Sequence, residues 1–209
     1  MTVTSARSTG APSTRERILR GAATALAQEG LGSCTVQHML KTAGVSRRTW
    51  YQHFRSREDV LLVLYSEVAD ALVTAVRWGA ASTEDPARRL FAAIDAYFEF
   101  QEQGGTLLTL LQAEAIRPDS MLAERRERTL DELVAFIDGE VERDTGFRLD
   151  PLVYRSLFLG MDGLVIHLRS AGAFGTAERQ RVGRLMRPIF LQVLAAGEFL
   201  PARPEEGLQ

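Results

Sequence analysis

Apolar residues in this chain recur at intervals of three and four almost throughout, and no stretch alternates apolar and polar residues convincingly enough to read as a strand. That period matches the 3.6 residues of a helical turn, so the expected fold class is all-α. Glycine, proline and polar clusters cut the pattern into roughly nine helices, with no repeat of 20–50 residues between them.

The cuts carry their own chemistry. Ser13-Thr14-Arg15-Glu16 has the spacing of a capping box and opens a first helix that ends at Gly30. Thr35 caps a short second helix stopped by Gly44, and Ser46 caps a third from Arg47 to about His53. Ser56-Arg57-Glu58-Asp59 starts a long fourth helix running to about Gly79, with acids in the turn where the helix dipole favours them. Helices then follow over Pro86–Gln103, Thr106–Ile116, Met121–Asp144, Pro151 to about Ala171 and Thr176 to about Ala196.

These breaks divide the chain into a flexible arm (1–12), a helix-turn-helix domain (13–56), a helical domain (57–200) and a flexible tail (201–209). No apolar run reaches the 18 residues a membrane span needs, and the first residues lack a signal peptide's apolar core. A single cysteine, Cys34, excludes an intrachain disulfide and suits a reducing cytoplasm. Beside an apolar helix it reads as a buried structural thiol in preference to a redox switch.

The net charge of −2 averages two unlike regions. Residues 1–60 hold nine basic and four acidic residues, whereas the remainder holds 16 basic and 23 acidic. A polyanionic partner would meet the N-terminal end. There, Thr35–Phe54 has two short helices joined by a turn containing Gly44, the construction of a helix-turn-helix. Val36, Met39, Leu40, Val45, Trp50 and Phe54 are available for packing; Arg47, Arg48, Thr49, Tyr51, Gln52 and His53 remain to face outward. His38 reads as solvated surface.

The residues Gly30, Thr35-Val36, Ala43-Gly44-Val45-Ser46, Thr49, Tyr51, His53-Phe54 and Arg57-Glu58-Asp59 resemble the DNA-binding domain of the tetracycline-repressor family of regulators. Leu40 and Trp50 depart from its usual smaller residues but stay apolar. The resemblance implies that Thr35, Thr49, Tyr51, His53 and Arg57 contact phosphates, and that Gln37, Arg47, Arg48 and Gln52 face base edges, with Ser46 at the helix start. It also implies a dimer on double-stranded operator DNA.

The C-terminal region is expected to sense a small, largely apolar effector and to dimerise. Tyr97, Phe98, Gln101, Leu110, Glu114, Phe136, Phe158 and Met161 are candidates for an effector pocket, although each is equally at home in a bundle core. Glu114 shares a face with leucines, so it must reach solvent, pair with an arginine or meet a ligand. The last two helices are apolar on several sides and therefore need burial on several sides. Leu157, Leu164, Leu168, Val182, Leu185, Met186, Ile189 and Val193 are the candidates for that subunit interface.

The three histidines lack ligand spacing and no catalytic motif stands out, so neither metal, cofactor nor enzyme activity is expected. The reading is a cytoplasmic, ligand-responsive repressor. An activator, or a regulator controlled by a partner protein, would share the same architecture.

Overall fold

The computed structural model describes residues 11–196. Of the expected arm (1–12), residues 1–10 lie outside them, as does the expected tail (201–209). Among the described residues there are nine helices and no strand: α1 (Thr14–Glu29), α2 (Val36–Ala43), α3 (Arg47–Tyr51), α4 (Arg57–Ala81), α5 (Pro86–Gln103), α6 (Gly105–Ala115), α7 (Ala123–Thr145), α8 (Pro151–Ser170) and α9 (Thr176–Ala195). Each begins or ends where local chemistry dictates. Ser13 and Glu16 close the expected capping box on α1, and Asp150 caps α8 ahead of Pro151. Helix α9 continues through Pro188.

The chain divides into two compact units. The first holds the described residues through Ala71 together with Gln103–Arg126; the second holds Leu72–Glu102 and the described residues from Glu127 onward. Helix α4 therefore belongs partly to each, and the start of α7 belongs to the first unit while its remainder belongs to the second. This grouping differs from a boundary at residue 57, because α6 and the first half of α4 bury their apolar faces with the N-terminal helices.

The first unit is built on Ile18, Leu26, Met39, Trp50 and Val60, joined by Leu111, Ala115 and Leu122 from its later segment. Trp50 is wholly buried and meets Phe54 at 5.8 Å between ring centroids, so it packs as its apolar side required. Cys34 is buried too, and burial raises its thiol pKa. Arg125, almost buried, pairs with Asp70 at 2.5 Å.

The second unit gathers Val76, Ile94, Tyr97, Phe98, Leu133, Phe158, Met161, Val182 and Phe190 in one core. Polar contacts lash its helices together. Tyr97 on α5 donates to Asp162 on α8, Arg187 on α9 pairs with Asp95 on α5, and Arg155 on α8 reaches Asp131 on α7 at 2.6 Å. Arg77 lies over the Phe136 ring, its guanidinium 5.5 Å from the centroid.

Candidate nucleic-acid interface

The helix-turn-helix is assembled by side chains that satisfy helix ends. Thr35 accepts from the His38 backbone N–H at 3.4 Å, and its own N–H donates to His38 Nδ1 at 3.4 Å. His38 is thus not merely solvated surface: an imidazole nitrogen fills the role that Glu or Gln plays in the usual capping box. At the other end of α2, Gly44 takes φ 62 and ψ 40, the left-handed conformation that lets the chain turn toward α3. Arg17 from α1 donates to the Gly44 carbonyl at 3.1 Å and braces the turn.

Ser46 caps α3 by accepting from the Thr49 N–H at 3.1 Å, while the two hydroxyls lie 2.8 Å apart. With Trp50 buried and Phe54 behind it, Arg47, Arg48, Tyr51, Gln52 and His53 are all exposed. Thr35, Gln37 and Ser46 are exposed as well, and Thr49 is half-buried. Helix α3 ends at Tyr51 and not near His53, so Gln52 and His53 stand on the turn that follows. The result is a short helix offering two guanidiniums at its start and hydrogen-bonding groups beyond them.

Arg57 behaves differently from its neighbours. Its guanidinium donates to the Leu31 carbonyl and lies 3.7 Å from Glu58, and its side chain is 25% exposed. It ties the start of α4 to the loop after α1. Sequence reasoning also missed Arg17, whose partner sits 27 residues away with no local signal to connect them.

The residues expected to form an effector pocket divide between the units. Tyr97, Phe98, Phe158 and Met161 meet in the second unit's core, with Phe136 packed at its margin. Gln101 is fully buried beside Tyr97, and its amide makes no hydrogen bond of normal geometry. Burial is the main cause that lifts the Tyr97 hydroxyl well above its ordinary pKa, with the neighbouring Asp162 carboxylate second. Leu110 and Glu114 lie elsewhere. They are on α6, in the first unit, where Glu114 pairs with Arg117 at 3.6 Å.

A cavity of about 440 Å³ opens instead at another place in the second unit, between the ends of α4, α5, α7 and α9. None of the residues expected to form an effector pocket lines it.

The interface candidates separate into three sets. Leu185 and Ile189 are exposed on α9, whereas Val182 and Met186 face inward with Phe190 and join the unit's own core. Leu157, Leu164, Leu168 and Val193 are half-buried against that core. Leu152 and Leu159 are exposed on α8, and a Cβ added to Gly160 or Gly163 would meet nothing within 4 Å. Among the described residues no helix is long and apolar enough to cross a membrane, and no cluster of His, Cys, Asp and Glu is arranged to hold a metal ion.

Comparison with known proteins points to the same segment. Residues 18–64 match the sequence profile of bacterial regulatory proteins, tetR family. The HTH-type transcriptional activator FasR of Mycolicibacterium smegmatis is 33% identical over 88 residues, spanning 42% of this chain and only 40% of that protein. The HTH-type transcriptional repressor KstR2 of the same organism is 29% identical over 150 residues, covering 68% of this chain and 73% of the repressor. In fold, the chain is like the transcriptional regulator FadR of Bacillus subtilis, solved in complex with stearoyl-CoA. The TM-score is 0.69 at 20% identity, over 87% of this chain and 97% of that one.

Proposed function

The chain belongs to the tetR family of bacterial regulatory proteins, and on that premise we propose that it is a cytoplasmic, homodimeric repressor released from palindromic operator DNA by a small, largely apolar effector. One observation carries the DNA-binding half: α3 turns Trp50 inward and leaves Arg47, Arg48, Tyr51, Gln52 and His53 exposed together. Guanidiniums at the start of such a helix suit guanine O6 and N7 in the major groove, each bidentate pair being worth about 1–3 kcal/mol of discrimination. Gln37 and Gln52 would complete base reading, while Thr35, Thr49, Tyr51, His53 and the charge on Arg57 would engage phosphates.

Two-fold symmetry would place two recognition helices roughly 34–36 Å apart, one turn of DNA. The apolar residues left exposed on α8 and α9, Leu159, Leu185 and Ile189, would be covered by a second copy. Tyr97, Phe98, Gln101, Phe158, Met161 and Phe136 would sense the effector. Helix α4 is continuous through the division between the units, and a coupling of about 1–3 kcal/mol along it would change operator occupancy appreciably.

The test is selection of bound duplexes from a random DNA library by the full-length protein. Enrichment of a palindrome that Arg47→Ala with Arg48→Ala no longer prefers supports the proposal. Failure to enrich any sequence, or unchanged preference in the double variant, overturns it. An activator is the second reading, favoured by the 33% identity to FasR; a promoter reporter in a deletion strain separates the two by the sign of the change.

A further inference from the structure

The two units treat their positive charge differently. In the second, Arg148, Arg155, Arg179 and Arg187 each pair with one or two carboxylates of another segment. In the first, Arg17, Lys41, Arg47 and Arg48 are exposed and form no ion pair among the described residues. Exposed cations without counter-ions raise the local positive potential, the footprint of a surface that binds a polyanion. Lys41, Arg47 and Arg48 belong to the helix-turn-helix. Arg17 stands outside it, on α1.

Packing nevertheless brings Arg17 to that motif. A Cβ on Gly21 would stand 2.5 Å from the Ala43 backbone, so α1 crosses the last turn of α2 in direct contact. Arg17 precedes Gly21 by one helical turn and lies on the same face of α1. Its Nη2 donates to the Gly44 carbonyl at 3.1 Å. That carbonyl lies at the end of α2, where the helix dipole favours a cation. The guanidinium is thus held beside the turn that leads to Ser46, the cap of α3, and then to Arg47. Only part of its hydrogen-bonding capacity is used there. A guanidinium carries about five N–H donors in a planar fork that matches the oxygens of a phosphate.

We propose that Arg17 is a further DNA-binding residue, outside the helix-turn-helix: one N–H fixes the Gly44 turn while the remaining donors take a backbone phosphate of duplex DNA. The inference rests on the reading of α3 as the recognition helix. When such a helix enters the major groove by its N-terminal end, the segment leading into it lies against the strand that borders the groove. Arg17 reaches that segment from α1 and brings to it a charge that no carboxylate among the described residues pairs with. A phosphate contact fixes position without reading sequence. Arg17 therefore sets affinity and its salt dependence, and leaves base preference to α2 and α3.

Fluorescence anisotropy of the full-length protein with a labelled random-sequence duplex, over a series of salt concentrations, tests it without the operator. Arg17→Gln keeps an amide donor for the turn and removes the charge. Its slope of log affinity against log salt should be smaller by about 0.9, which is about eightfold weaker binding at about 0.1 M salt and no difference on extrapolation to about 1 M. Arg17→Ala should show the same slope whatever the lost brace costs in stability, and Arg17→Lys should keep the wild-type slope. Arg88→Gln, which removes an exposed charge from the second unit, should keep it too. An unchanged slope in Arg17→Gln, with affinity lost equally at every salt concentration, would mean a brace alone and overturn the inference. An equal fall in slope for Arg88→Gln would mean a diffuse charge effect and overturn it as well. Wild-type binding to the random duplex with no palindrome enriched in the selection strikes only the proposed function. No binding to any duplex overturns both.

Discussion

A Cβ placed on Gly21 would stand 2.5 Å from both the Cα and the backbone nitrogen of Ala43, so α1 and α2 meet backbone against backbone. No side chain larger than hydrogen fits between them. The contact sets the position of α2, and through the Gly44 turn that of α3.

Gly21→Ala is therefore expected to be destabilising although alanine favours helix. Overpacking of this kind costs about 1–3 kcal/mol, more than the gain of about 1 kcal/mol in propensity. Urea denaturation checks the sign, and a more stable variant would mean that the helices separate freely.

Arg57 distinguishes bracing from DNA contact. With its guanidinium engaged by the Leu31 carbonyl, Arg57→Ala should lower stability by about 1.5–3 kcal/mol, the scale of a hydrogen bond from a charged donor. If bracing is its whole role, the slope of log affinity against log salt should not change. A slope smaller by about 1 would mark it as a phosphate contact.

Cys34 should resist alkylation in the folded protein. Burial raises its thiol pKa, so less reactive thiolate is present at pH 8 than for an ordinary cysteine. The linkage has a definite sign: the unfolded thiol ionises first as pH rises, so stability falls between the unfolded and folded values. Iodoacetamide labelling followed by mass spectrometry, with and without urea, measures the protection. Rapid labelling of native protein would contradict it.

Leu185→Glu with Ile189→Glu should convert a dimer to monomers in sedimentation velocity while circular dichroism stays helical, because both side chains are exposed within one chain. Val182→Glu or Met186→Glu should instead lower the melting temperature, since those residues lie in the core. Monomers that arise only with unfolding would argue against this face as the interface.

Much of the fold was legible in the sequence because helix ends are local events. Ser13 with Glu16, Ser46 with Thr49 and Gly44 after α2 act across three or four residues. Their identities suffice to place a boundary. The outward set on α3 was legible for a similar reason: once Trp50 and Phe54 are assigned inward, the remaining side chains have one direction left. His38 escaped notice because histidine at that position is an unusual partner in a capping box, although its spacing from Thr35 was in plain view.

What the sequence determined by itself was therefore the all-α class, most of the helix boundaries and the polar face of α3, all governed by interactions within a few residues. Tertiary structure decided the rest. Helices α8 and α9 are apolar on several sides, so periodicity could not choose between Val182 and Leu185; packing turned the first inward and left the second exposed. Leu110 and Glu114 were expected to share a pocket with Tyr97, yet α6 buries its apolar face with the N-terminal helices. The cavity has no local signature at all, because it exists where segments from Ala80 to Ala195 fail to fill the space between them. Its shape and charge come from side chains that only folding brings together.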